Sequence, residues 1–155
     1  MLLGLITAAI VLVLDQASKY WILTDVLDDK SMIIFTPFFS LVRAWNTGVS
    51  FSMFNNWGVS GVVILSLVAF TIIAFLINWL RKEPSKMVQV SLGFIIGGAL
   101  GNVIDRVRLG AVFDFLDFSI GEYHWPAFNV ADSFICIGAI LVIMHGMLVK
   151  KQPEA

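Results

Sequence analysis

Asp105, Asp114, Asp117 and Asp132 lie close together in the last third of a chain that is otherwise mostly apolar. Asp132 stands near the start of Phe128–Val149, an almost wholly apolar stretch. A carboxylate at mid-bilayer costs roughly 2.5–3.5 kcal/mol even on lenient insertion scales, so such groups usually face a bundle interior or water and mark function. Asp114 sits among large apolar side chains in Val112-Phe113-Asp114-Phe115-Leu116-Asp117-Phe118. Burial raises a carboxylate pKa, and a second carboxylate nearby raises one of the two further. Two aspartates within hydrogen-bonding range can share one proton. The ionised member then takes a proton from water while the other donates one to a scissile carbonyl. The protons belong to the pair and to neither residue separately. Spacing alone leaves several pairings of these acids open.

Elimination favours this chemistry over other hydrolytic routes. There is no HExxH pattern, His124 and His145 are far apart, and no serine has an evident His/Asp partnership. The single Cys136 excludes an intrachain disulfide and a multi-cysteine metal site, and its apolar surroundings read as a small buried residue. Each acid also has a plainer reading. Asp132 could complement a helix dipole from the first turn. Asp105, beside Arg106 and Arg108, reads as a structural ion pair that holds a helix end next to Asn102. Asp15 and Lys19, at i and i+4, can pair as ions. Asp117 and Glu122 read as solvated loop charges, and His145 as a packing residue remote from the acids.

The elements that carry these groups must be membrane helices. Of 155 residues, 59% are hydrophobic and 14% charged, with a mean hydropathy of +0.90. A soluble domain carries about 25% charged residues. No basic stripe exists, so nucleic acid is not an expected partner. Four stretches approach the roughly 20 residues of a helical crossing: about 2–23, 59–80, 87–104 and 128–149. Helices are required because lipid cannot satisfy backbone N–H and C=O groups. The first stretch lacks a basic leader and a small-residue cleavage pattern, so it is expected to be a retained span. The expectation is one polytopic domain over residues 1–155.

Arg81, Lys82 and Lys86 crowd the short link between spans two and three, and Lys150 and Lys151 follow span four. The positive-inside rule makes that side cytoplasmic and places both termini there. Lys30, Arg43, Arg106 and Arg108 on the other side weaken the bias, but they are more spread out. The segments 24–58 and 105–127 are then extracytoplasmic, with Trp21, Trp45, Trp57, Tyr123 and Trp125 suited to a headgroup belt. Met32–Trp45 is rich in β-branched and aromatic residues around Pro37, which favours short strands. Asn46-Thr47-Gly48 and Asn55-Asn56-Trp57-Gly58 are turn signals. The fold class expected is all-α membrane protein with a small sheet-like platform outside.

Depth brings the polar groups together. Asp132 lies roughly 26 Å along its span from Val149, Asp105 roughly 27 Å from Met87, and Asp15 roughly 20 Å from Leu2. In a hydrocarbon core about 30 Å thick, all three sit towards the outer end. Asn129 and Asp132 are i, i+3, as are Asn102 and Asp105. Gly93, Gly97, Gly98 and Gly101 provide a small-residue face for close helix approach.

Five blocks in order carry a family resemblance: Asp15-Gln16-Ala17-Ser18-Lys19; Asn46-Thr47-Gly48-Val49-Ser50-Phe51; Gly98-Ala99-Leu100-Gly101-Asn102-Val103-Ile104-Asp105-Arg106; Val112-Phe113-Asp114-Phe115; and Phe128-Asn129-Val130-Ala131-Asp132-Ser133. Over nearly the whole chain the sequence resembles bacterial lipoprotein signal peptidase, or signal peptidase II. The resemblance implies an aspartyl endopeptidase of the bacterial inner membrane that cuts diacylglyceryl-modified prolipoproteins just before the lipidated cysteine. It implies Asp114 and Asp132 as the catalytic pair, with no metal or cofactor. Asp15, Lys19, Asn46, Gly48, Asn102, Asp105, Arg106, Asn129 and Ala131 match its other motif positions. Asn46 and Arg106 are candidates for contacting substrate backbone or water, and Asn129 for orienting Asp132. Val49-Ser50 departs from the family pattern, a difference that bears only on local loop packing.

The expected partners are the lipidated substrate and membrane lipid, with the chain acting as a monomer. The substrate would enter laterally from lipid. Platform 32–45 and the cleft border Asn46–Phe54 would clamp it, with Trp45 and Phe51 contributing. A proton-coupled carrier is the rival reading, since intramembrane Asp and Lys also build relays. Carriers usually place their sites at the midplane, with access from both sides. Acids gathered towards one face disfavour that. A structural assembly subunit would explain the glycines but not the converging acids.

Overall fold

The computed structural model describes residues 1–48 and 58–149. The readings placed on Val49–Phe54, Asn55-Asn56-Trp57 and Lys150-Lys151 lie outside the described residues. The chain forms α1 (Leu2–Trp21), β1 (Met32–Thr36), β2 (Phe39–Asn46), α2 (Gly58–Lys82), α3 (Lys86–Leu109), β3 (Val112–Ile120), β4 (Tyr123–His124) and α4 (Val130–Val149). A π-helical turn, Ile22–Val26, extends α1. All four helices are long and apolar enough to cross a membrane.

The helices sit where the apolar runs placed them, with one substantive change. The third continues past the expected end at residue 104 to Leu109, so Asp105 and Arg106 are helical. Gly110, at φ 74°, ends it by donating its N–H to Arg106 O. Asp105 is carried in the helix with a partner from α1, Lys19, and Arg106 with one from the segment after β2, Gly48 O.

Helix α3 is the central element, with α1, α2 and α4 packed around it. Its glycines explain the closeness. A Cβ on Gly93 would stand 2.5 Å from Gly4 O, and one on Gly97 2.5 Å from Ala8 O, both on α1. A Cβ on Gly98 would stand 2.5 Å from Ala131 O on α4. The expected single small-residue face is therefore two faces, serving two partners. On α1 the buried positions Gly4, Ala8, Val11, Asp15 and Lys19 recur at helical spacing and form the matching stripe. Outward residues such as Ile10, Val13, Leu67 and Ile143 are exposed and apolar, as a lipid-facing surface requires.

The platform is a four-stranded antiparallel sheet in the order β1-β2-β3-β4. Strands at 32–36 and 39–46 match the expected region, with Pro37 in the turn between them. Strand β3 was not anticipated, yet it lies beside the longer of these two. Ala44 faces Asp114 and Asn46 faces Val112 across that ladder. Phe113 and Phe115 pack with Ile22, Leu27 and Leu41, fastening the sheet to the end of α1. Strand alternation turns the intervening Asp114 to the other face.

Candidate active site

The site residues are drawn together from α1, β2, α3, β3 and α4. Asn129 directly precedes α4. Its Oδ1 accepts from Asp132 N at 3.0 Å, while Asp132 Oδ2 accepts from Asn129 N at 3.3 Å. This reciprocal pair is a capping box, so Asp132 does hold a helix end. Its other oxygen remains available: Asp132 Oδ1 accepts from Asn102 Nδ2 at 2.8 Å. The amide of Asn129 is thereby oriented with Nδ2 towards β3, donating to Asp114 Oδ1 at 2.7 Å. Asn46, on β2, donates to Asp114 Oδ2 at 3.1 Å. Burial and the nearby Asp132 carboxylate push the Asp114 pKa up from the ordinary 3.8 to about 7, against the opposing pull of these two amides.

A buried ion cluster supports the pair from α1 and α3. Lys19 Nζ lies 2.9 Å from Asp15 and 2.8 Å from Asp105, and it donates to Asn102 Oδ1 at 3.1 Å. Lys19 therefore sets the orientation of the Asn102 amide that meets Asp132. The i, i+4 pair of Asp15 and Lys19 is present as expected. The partner expected for Asp105 is corrected: its carboxylate pairs with Lys19 of α1 and not with Arg106 or Arg108; Arg106, the adjacent residue, faces another side of the helix and donates to Gly48 O instead. Asp105 also accepts from Phe113 N at 3.2 Å, which seats the start of β3. Ala131 N donates to Asp15 Oδ1 at 2.9 Å, tying α4 to α1.

Arg106 donates to Gly48 O at 3.1 Å and Asn102 O at 3.4 Å, and Gly48 N donates to Asn46 Oδ1 at 3.0 Å. Every residue singled out as a site candidate thus belongs to one continuous network. Asp114 and Asp132 both line a cleft of about 370 Å³, bounded by Asn46, Trp125, Pro126, Ala127, Phe128, Ser133 and Cys136.

Three features differ from the sequence reading. Cys136 is exposed on this cleft and is not buried, because it lies one helical turn beyond Asp132 on α4. Asp117 is buried on β3, 2.9 Å from His124 Nδ1, and is not a solvated loop charge. Gln16 was missed although it lies inside a quoted block: its Nε2 donates to Asp105 Oδ1 at 2.9 Å. Cys136 was visible in principle as the i+4 neighbour of Asp132. The Asp117–His124 contact depends on strand pairing that no local pattern announced.

A family profile described as signal peptidase (SPase) II matches residues 7–148. The chain belongs to the signal peptidase II family. Lipoprotein signal peptidase from Aeromonas hydrophila is 42% identical over 149 residues, spanning 95% of this chain and 89% of the relative. The Rhodopseudomonas palustris protein of that name is 41% identical over 152 residues, spanning 94% and 92%. A solved bacterial membrane enzyme superposes with a TM-score of 0.82 at 29% identity, covering 98% of this chain and 93% of the other. As a member of the signal peptidase II family, the chain is a multi-pass membrane protease of lipoprotein processing.

Proposed function

We propose that the protein is an aspartyl endopeptidase that removes the signal peptide from diacylglyceryl-modified prolipoproteins, cutting just before the lipidated cysteine. The observation that carries this reading is Asn129, which touches both carboxyl groups at the wall of one cleft. The pair holds a single proton. The ionised carboxylate, assigned to Asp132, takes a proton from water as the oxygen attacks the scissile carbonyl. Asp114, with its raised pKa, donates its proton to the carbonyl oxygen. The resulting gem-diol collapses when its hydroxyl proton returns to Asp114 and the proton on Asp132 passes to the leaving amine. The C–N bond breaks, and the pair is restored with one proton.

Asn46 and Asn129 hold Asp114, and Asn102 and the Asn129 backbone hold Asp132. Lys19, Asp15 and Asp105 brace Asn102 from behind, Ala131 joins α4 to that brace, and Gly48 and Arg106 shape the cleft border. No cofactor is required.

The basic link Arg81–Lys86 lies at the opposite end of α3 from the sheet and the dyad. By the positive-inside rule, the link and both termini face the cytoplasm of the bacterial inner membrane. The sheet and the cleft then face outwards, where water reaches the acids and a lipidated helix can enter from the bilayer.

The direct test is purified protein with a synthetic diacylglyceryl prolipopeptide in excess chelator. Mass analysis should find a product that begins at the lipidated cysteine. Activity lost on chelation, or cleavage elsewhere, would contradict the reading.

A further inference from the structure

A second cavity, of about 530 Å³, opens between α2 and the outer end of α3, with walls that include Thr47, Val63, Ser66, Leu67, Phe70 and Arg106. Its size is in the range of small-molecule sites, roughly 300–1,000 Å³. It abuts the dyad's surroundings: Thr47 adjoins Asn46 of the first cleft, and Arg106 donates to Gly48 O and Asn102 O.

Two donors on these walls lack partners among the described residues. Hydroxyls on these helices normally bond back one turn. Thr7, Thr71 and Ser91 donate to the carbonyl four residues earlier at 2.9, 2.8 and 2.8 Å. The Ser66 Oγ does not; it is buried without a hydrogen-bond partner among the described residues, and Ser66 as a whole is 8% exposed. Arg106 uses both terminal nitrogens, but its Nε is likewise buried without a partner among the described residues. Buried polar groups are nearly always satisfied, so two orphan donors on one cavity point to a ligand that brings acceptors.

The rest of the wall narrows the chemistry. Val63, Leu67 and Phe70 are apolar and about half exposed, on one face of α2 that continues into the lipid-facing surface. A fitting ligand offers hydrogen-bond acceptors without donors and carries chains that belong in a bilayer. Ester carbonyls on an acylated glycerol meet both conditions. Bulk phospholipid shares this ester chemistry. The substrate's own glyceryl group is favoured because the cavity borders the network holding Asp132, and the lipidated cysteine adjoins the scissile bond.

We propose that this cavity holds the ester end of the substrate's diacylglyceryl group, with Ser66 Oγ and Arg106 Nε donating to its ester carbonyls and the acyl chains leaving along α2. This assignment rests on the lipidated substrate named under Proposed function.

The test uses two prolipopeptides in detergent micelles, identical except that one carries a diacyl (ester) and the other a dialkyl (ether) glyceryl group. Wild-type protein should show a KM roughly ten- to a hundredfold lower for the diester, the scale of two net hydrogen bonds. Ser66→Ala should raise the diester KM roughly three- to tenfold, the scale of one of the two bonds, and leave the diether KM and both kcat values unchanged, while Ser66→Thr should keep the wild-type preference. Equal KM values for the two peptides on wild type, or no response to Ser66→Ala, would overturn the assignment. An effect that appears only when phospholipid is added, regardless of the substrate's linkage, would make bulk lipid the occupant and also overturn it. Wild-type protein that cleaves neither peptide would refute the functional reading itself and this assignment with it.

Discussion

Asn129 donates its side-chain amide to Asp114 at 2.7 Å while it exchanges two hydrogen bonds with Asp132 in a capping box. One side chain therefore starts a helix and positions both acids. The two tasks can be separated. Serine also caps helices well but is too short to reach Asp114. Asn129→Ser should keep its thermal midpoint near wild type yet lose kcat on the order of 100-fold, the scale of misplaced reacting groups. Asn129→Ala should lose both stability and kcat. Midpoints and turnover measured on both variants check this. Full activity in the serine variant would show that the amide does not position the dyad.

Turnover should fall as pH rises through about 7, where Asp114 gives up the proton it must donate. The Asn46 amide holds this pKa down, so Asn46→Ala should move the alkaline limb of kcat/KM to higher pH. A limb that stays in place or moves down would contradict the assignment. Stability carries the same sign. The folded pKa of Asp114, about 7, exceeds its ordinary 3.8. Its contribution is therefore fully present below pH 3.8 and is lost as pH rises to about 7. Asp114→Asn should flatten the stability profile in that window.

Lys19 is buried between Asp15 and Asp105. Removing one member of a buried ionic cluster typically costs about 3–5 kcal/mol, because it strands charge in the interior. Lys19→Met should lower the unfolding midpoint sharply and free the Asn102 amide to rotate away from Asp132. Unfolding in detergent, followed by near-ultraviolet circular dichroism, measures this. A midpoint unchanged from wild type would mean that the cluster is not held as charged groups.

Gly97 and Gly98 are adjacent but face different helices. A Cβ on either would stand 2.5 Å from a backbone oxygen, that of Ala8 on α1 or of Ala131 on α4. Both alanine variants should lose stability. Only Gly98→Ala pushes on the residue next to Asp132, so its kcat should fall about 100-fold further than that of Gly97→Ala. Equal residual turnover in folded samples of the two would show that displacing α4 does not disturb the dyad.

The four helices were legible because apolar length reports a membrane crossing directly, and the convergence of acids followed from counting the rise per residue from each helix end. What stayed hidden depends on contacts between distant segments. Nothing around Val112–Phe118 announced β3, since its aromatic run suits a buried helix as well as a strand; its pairing with Phe39–Asn46 settles the matter. Asp117 read as a loop charge for the same reason. Asp105 was matched to its nearest arginines in sequence, whereas its cation arrives from α1 across a glycine-lined contact. Cys136 was judged by the hydrophobicity of its neighbours, a poor guide in a membrane helix whose apolar faces point outwards.

The central claim is that Asp114 and Asp132 act on one water as a pair. Its most direct test is turnover of a diacylglyceryl prolipopeptide by Asp114→Asn and Asp132→Asn, each checked for folding and substrate binding. A proton-sharing dyad predicts that each variant binds substrate normally and loses kcat on the order of 10⁴-fold, as when a catalytic carboxylate is made an amide elsewhere. Near-wild-type turnover in either folded variant would contradict it.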